Sequence, residues 1–197
     1  MRNPTDHSIH PLLAERWSPY SFDPDRPVAA ADLAALFEAA RWAASGFNAQ
    51  PWRYIVGVKG RDDGLWNRLH NLLVEGNQPW TAFAPVLALG IVQTHYTHNG
   101  KPNNTAAHDL GAASAQLTFE ASARGLVVHQ MGGVQADKAH AAFGLSDDLT
   151  VLTALAIGYA GTPADLAEDI RARDDKPRQR LPLTDIVLHG DVSGRQS

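Results

Sequence analysis

The chain has 197 residues and a mass of 21.3 kDa, the length of one ordinary domain. Its 44 % hydrophobic and 19 % charged residues exclude a largely disordered chain. A formal charge of −4, from 17 Lys and Arg against 21 Asp and Glu, argues against a nucleic-acid partner. The absence of cysteine removes disulfides, Cys-ligated zinc, iron–sulfur clusters and thiol catalysis. The N-terminus is polar and lacks a signal-peptide pattern. The most apolar run, 83–92, has about half the length of a membrane-spanning helix. The expectation is a soluble cytoplasmic protein with no membrane partner.

In chain order, the spacing predicts a helix over 30–44, where Leu33, Leu36, Phe37 and Ala40 share one face. Residues 52–58, rich in Tyr, Ile and Val, read as a strand, and 64–74 as a shorter helix. The run 85–92 lacks polar alternation and reads as a buried strand. A loop over 96–104, marked by Gly100, Pro102 and three Asn residues, leads to a long central helix over 105–124 with Gly125 as its C-cap. Small residues at 111–115 allow close approach of that helix to its neighbours. Further strands are expected at 126–129, 150–159 and 184–188, with a helix at 136–143. Helices and strands mix without strict alternation, which predicts an α+β fold on a mainly antiparallel sheet. It is read as a single domain over 1–197, with loose termini at about 1–10 and 191–197.

No Gly-x-Gly-x-x-Gly follows a strand, and no P-loop or Gly-x-Ser-x-Gly elbow occurs. His95, His98 and His108 are the best grouping among nine histidines, but no carboxylate completes a set. They read as surface histidines, and no metal is expected.

Four segments carry the chemistry. They are Arg16-Trp17-Ser18-Pro19-Tyr20, then Ala44-Ser45-Gly46-Phe47-Asn48-Ala49-Gln50-Pro51-Trp52, then Gln130-Met131-Gly132-Gly133-Val134, and last Arg178-Gln179-Arg180-Leu181-Pro182. Together, in this order, they resemble the FMN-dependent nitroreductase family over roughly 12–188. Asn48-x-Gln50-Pro51-Trp52 is the most specific match. The resemblance implies a three-layer α/β/α sandwich, an intertwined homodimer, and a flavin site at the dimer interface.

FMN carries a phosphate dianion, a polar chain and a flat ring with polar edges. Guanidinium forks suit the phosphate, and the resemblance assigns Arg16, Arg178 and Arg180 to it, with Ser18 adding a hydroxyl beside Trp17. Asn48, Gln50 and Asn77 can serve the ring's amide-like edge. The resemblance brings Ser45 to Asn48 from the other subunit. It draws a backbone N–H towards flavin N5 from the turn Met131-Gly132-Gly133, where glycine lets main chain approach a flat ring, and it counts Gln130 among the cofactor-binding residues.

No side-chain acid or base is needed for hydride transfer at N5, so no catalytic residue is assigned. Tyr20 stands where many relatives carry a cation, and offers only a hydrogen bond. Tyr96 and His98, in a segment that varies among relatives, are candidates to line the substrate site.

The implied activity is a ping-pong oxidoreductase: NADH or NADPH reduces FMN, then a nitroaromatic, quinone or similar small acceptor takes the electrons. Two alternatives stay open here. One is a flavin-binding storage or sensing protein without turnover. The other is a specialised relative, such as a reductive dehalogenase or a flavin-fragmenting enzyme.

Overall fold

In the computed structural model, which describes residues 3–162, 164 and 166–188, four strands form one sheet. They are Trp52–Val58 (β1), Val86–Gln93 (β2), Val127–Met131 (β3) and Leu149–Gly158 (β4), in the order β1-β2-β4-β3. Every pairing is antiparallel, with Trp52 opposite Val92, Val86 opposite Ile157 and Val127 opposite Gly158. The central β2 is buried along nearly its whole length, as its unbroken apolar run requires. The edge strands β1 and β3 are only partly covered.

Helices cover both faces of the sheet. On one side Ala30–Arg41 (α2) and Ala106–Ala123 (α5) bury Leu33, Leu36, Leu110, Ala113, Leu117 and Ala121 against Val86, Ala88, Leu155 and Ile157. Each fully buried leucine contributes about 1.5–3 kcal/mol. On the other side Asp63–Asn71 (α3), Gln78–Thr81 (α4), Ala136–Phe143 (α6) and Glu168–Asp174 (α7) pack Trp66, Leu69, Trp80, Ala139 and Ile170 onto Leu87, Leu89, Ile91 and Ala154. Gly57 on β1 lets α3 lie close, since a Cβ there would stand 2.7 Å from the Trp66 Cα. The result is the expected α/β/α sandwich.

The expected elements recur with small changes at their ends. β1 and α6 have the predicted bounds, and α5 ends with Gly125 at φ 73° just beyond its C-cap Arg124. α2 stops at Arg41 rather than 44, and a 3-10 turn, Gly46–Asn48, follows.

The predicted strand at 184–188 is not formed. Leu183–Ile186 (α8) makes a helical turn there, with Val187 N–H donating to the Leu183 carbonyl at 2.7 Å. Pro182 caps that turn at φ −55°. No strand lies alongside this β-branched run to pair with it among the described residues. A short helix, Pro11–Glu15 (α1), also forms near the N-terminus. Asn3 is tied to it: its N–H donates to the Ala14 carbonyl at 2.6 Å and its Nδ2 to the Arg16 carbonyl at 3.0 Å. The expected loose end at 191–197 lies outside the described residues.

Candidate functional site

The end of α1 delivers Arg16 into a cluster of three guanidinium groups. Arg16, Arg178 and Arg180 line a small cavity of about 150 Å³ together with Asn3, Ile9 and Leu13. Arg16 Nη1 stands 3.3 Å from Ser18 Oγ. Burial first, then repulsion from Arg180 and Arg178, pushes the Arg16 pKa down. The fold therefore concentrates like charge that a bound anion would relieve. The Arg178 Cζ lies 5.5 Å from the Trp17 ring centroid, a cation–π arrangement.

The following residues are held from a distance along the chain. The Tyr20 and Ser21 N–H groups donate to Asp174 Oδ1 and Oδ2 at 2.8 and 3.0 Å, so α7 fixes this loop. The Tyr20 ring turns inward, edge-on to Trp80 at 5.2 Å and to His129 at 4.8 Å. His129 Nδ1 sits 2.8 Å from the Pro19 carbonyl, which fixes the ring to that loop. Burial pushes the His129 pKa down, outweighing the Pro19 carbonyl and the Asp174 charge, which favour the proton.

The turn after β3 meets the start of α4. Asn77 Nδ2 donates to the Gly133 carbonyl at 3.1 Å, and Val74 N–H donates to the same oxygen at 3.0 Å. A Cβ on Gly133 would lie 2.4 Å from Asn77 Nδ2, so this approach demands glycine. Gly132 differs: a Cβ there meets nothing within 4 Å, and the residue is exposed. Met131 is buried. Gln130 Nε2 faces α5, 3.2 Å from the Ser114 carbonyl and 3.0 Å from Thr118 Oγ1.

Ser45, Asn48 and Gln50 lie elsewhere, in the segment before β1. Gln50 N–H donates to Ser45 Oγ at 3.0 Å, and Gln50 Nε2 to the Asn48 carbonyl at 3.0 Å. The buried Asp109 in the first turn of α5 accepts from the Gly46 N–H at 3.2 Å. Tyr96 and His98 stand on this side too, against the Phe47 ring at 5.8 and 6.5 Å between centroids.

Within one chain, then, two groups of the expected residues come together and do not meet each other. Arg16, Trp17, Ser18, Tyr20, Arg178 and Arg180 gather around the N-terminal loop, which the Trp80 and His129 rings join to Asn77 and Met131–Gly133. Ser45, Asn48 and Gln50 precede β1, on the opposite edge of the sheet from β3. Three inter-strand spacings, about 14 Å, separate those edges. Sequence reading missed Asp109, His129 and Asp174, whose roles run through main-chain bonds to distant residues.

The chain is similar to known proteins in sequence and in fold. The family model described as Nitroreductase family matches residues 13–79. A crystal structure of an oxidoreductase containing FMN is 34 % identical, with a TM-score of 0.89, covering 98 % of this chain and 97 % of that one. An uncharacterised 15.4 kDa protein of Mycolicibacterium smegmatis is 36 % identical over 144 residues, 70 % of this chain and 95 % of that protein. The major NAD(P)H-flavin oxidoreductase of Aliivibrio fischeri is 36 % identical over 72 residues, 35 % of this chain and 32 % of its own length. The likeness in fold spans nearly the whole chain, and the chain belongs to the nitroreductase family.

Proposed function

We propose that two copies of this chain build each active site, one supplying the arginine cluster with Asn77 and Gly132–Gly133, the other supplying Ser45, Asn48 and Gln50. Family membership makes the chain an FMN-dependent NAD(P)H oxidoreductase. The observation that carries the shared site is the separation of its two halves onto opposite edges of one sheet.

The residues suit FMN. Arg16, Arg178 and Arg180 would hold the phosphate monoester, whose charge relieves the crowding that lowers the Arg16 pKa. Ser18 adds a hydroxyl, and Trp17 keeps the Arg178 guanidinium in place through its ring face. Asn77, fixed by the Gly133 carbonyl, and the open main chain at Gly132 would meet the flavin ring. Tyr20 and Met131 would pack beneath that region. Gln130 would act by holding β3 on α5.

When bound, FMN supplies the electron relay: two electrons and a proton pass from NADH or NADPH to a nitroarene, quinone or similar small acceptor, the donor leaving before the acceptor arrives. The protein orients the ring and leaves one face open, and no side-chain acid or base is assigned. The reading includes a homodimer working in the cytoplasm, where NAD(P)H is available.

Complementation tests the shared site. Arg16→Ala and the double variant Asn48→Ala/Gln50→Ala should each lose most bound FMN. When the two chains are refolded together in equal amounts, half the dimers are mixed, each with one intact site, so flavin content should return to about a quarter of wild type. No recovery on refolding together would overturn the reading.

A further inference from the structure

Packing within one chain leaves most of the side chain between Gly46 and Asn48 uncovered. Phe47 is 86 % exposed, although phenylalanine is among the residues most often buried. Its backbone is left-handed at φ 53°, and Asn48 at 54° and Gln50 at 46° share that region, which L residues other than Asn rarely visit. Such strain persists only where surrounding structure holds it, and it concentrates at functional sites. Here the holders are visible. Asp109 fixes the Gly46 N–H, and Ser45 Oγ fixes the Gln50 N–H. A Cβ on Gly46 would stand 2.9 Å from Thr105 Oγ1, so the turn is pressed against the start of α5.

The held turn throws the Phe47 ring outward. It lies edge-on to Tyr96 at 5.8 Å and tilted to His98 at 6.5 Å, and those two rings are themselves 5.4 Å apart. Three rings thus stand beside the exposed amides of Asn48 and Gln50. Tyr96 and His98 brace one side of Phe47 and leave the rest of its ring open.

We propose that Phe47, braced by Tyr96 and His98, selects flat aromatic acceptors over non-aromatic ones by stacking on them. This rests on the shared-site reading, in which the Asn48 and Gln50 amides reach the flavin held by a second copy; Phe47 then stands next to the acceptor's position. An offset or edge-on ring contact adds a modest, geometry-dependent attraction that a non-aromatic acceptor does not gain.

The test uses the FMN-loaded protein. Phe47→Asn removes the ring while keeping a residue that tolerates the left-handed backbone, and Phe47→Tyr keeps the ring. The readout is the ratio of kcat/KM for menadione to kcat/KM for ferricyanide at saturating NAD(P)H. Phe47→Asn should lower this ratio roughly three- to tenfold, mainly through the KM for menadione, and Phe47→Tyr should restore it. A ratio that stays at the wild-type value in Phe47→Asn, with FMN retained, overturns this inference alone. FMN lost from Phe47→Asn but kept by wild type also overturns it, because the ring would then belong to the cofactor cradle. A wild type that binds no FMN overturns the shared-site reading beneath it.

Discussion

The adjacent glycines after β3 separate two roles that a single substitution would confuse. In Gly133→Ala the new Cβ would lie 2.4 Å from Asn77 Nδ2 and 2.7 Å from Val74 Cγ2, distances at which something must move. The cheapest escape rotates Asn77 away and loses its 3.1 Å bond to the Gly133 carbonyl, worth about 1 kcal/mol. Overpacking against Val74 adds about 1–3 kcal/mol. The sum, about 2–4 kcal/mol, corresponds to a fall in Tm of roughly 4–16 °C for a domain of this size.

Gly132→Ala is the control, because its Cβ meets nothing within 4 Å. Its Tm without cofactor should stay within about 2 °C of wild type. Its affinity for FMN should fall, since the added methyl fills the space that the flavin ring would approach. Thermal unfolding of the cofactor-free protein and FMN titration by fluorescence quenching read the two effects. A wild-type Tm for Gly133→Ala would refute the packing argument. Wild-type FMN affinity for Gly132→Ala would refute the position given to the flavin.

Two further predictions concern the loop that carries Arg16 and Ser18. Asp174→Ala leaves the Tyr20 and Ser21 N–H groups without their acceptor, and Ser21 is buried. It should cost about 2–4 kcal/mol, read as a Tm fall of roughly 4–16 °C; Asp174→Asn, which keeps one acceptor oxygen, should cost less. Burial holds His129 below its ordinary pKa of 6.5, so in that window the unfolded chain binds a proton that the folded chain does not. Stability should therefore rise with pH through this window and be lost as pH falls below 6.5 towards the folded value. His129→Asn, which keeps a donor near the Pro19 carbonyl, should flatten the change in Tm between about pH 5.5 and 7.5 relative to wild type. An equal slope in both proteins would remove His129 from the account.

Most of the fold was legible because its elements declare themselves locally. The apolar run of β2, the helical stripe of α2 and the Gly125 stop after α5 are periodic or terminal signals. The short α1, α4 and α7 carry no such period. α4 has four residues and is anchored by the fully buried Trp80. The missed turn at Leu183–Ile186 shows the reverse error, β-branched residues read as a strand without a partner strand.

At the candidate site, the residues with marked chemistry stand out in the sequence: the three arginines, which share one cavity, and Asn77 with Gly133, which the fold brings together. Asp174 and Asp109 do not. Asp174 accepts from main chain 154 and 153 residues away, and Asp109 from main chain 63 residues away, which no spacing within a segment reveals. Phe47 was visible as a letter in a motif, but its exposure and left-handed backbone belong to the folded turn.

Anaerobic addition of NADH or NADPH to the FMN-loaded protein, followed in the flavin's visible absorption, tests the central claim most directly. The account predicts that the yellow band bleaches with one nicotinamide per flavin and returns when a quinone is added. A flavin that stays oxidised with excess NADH and excess NADPH would contradict it.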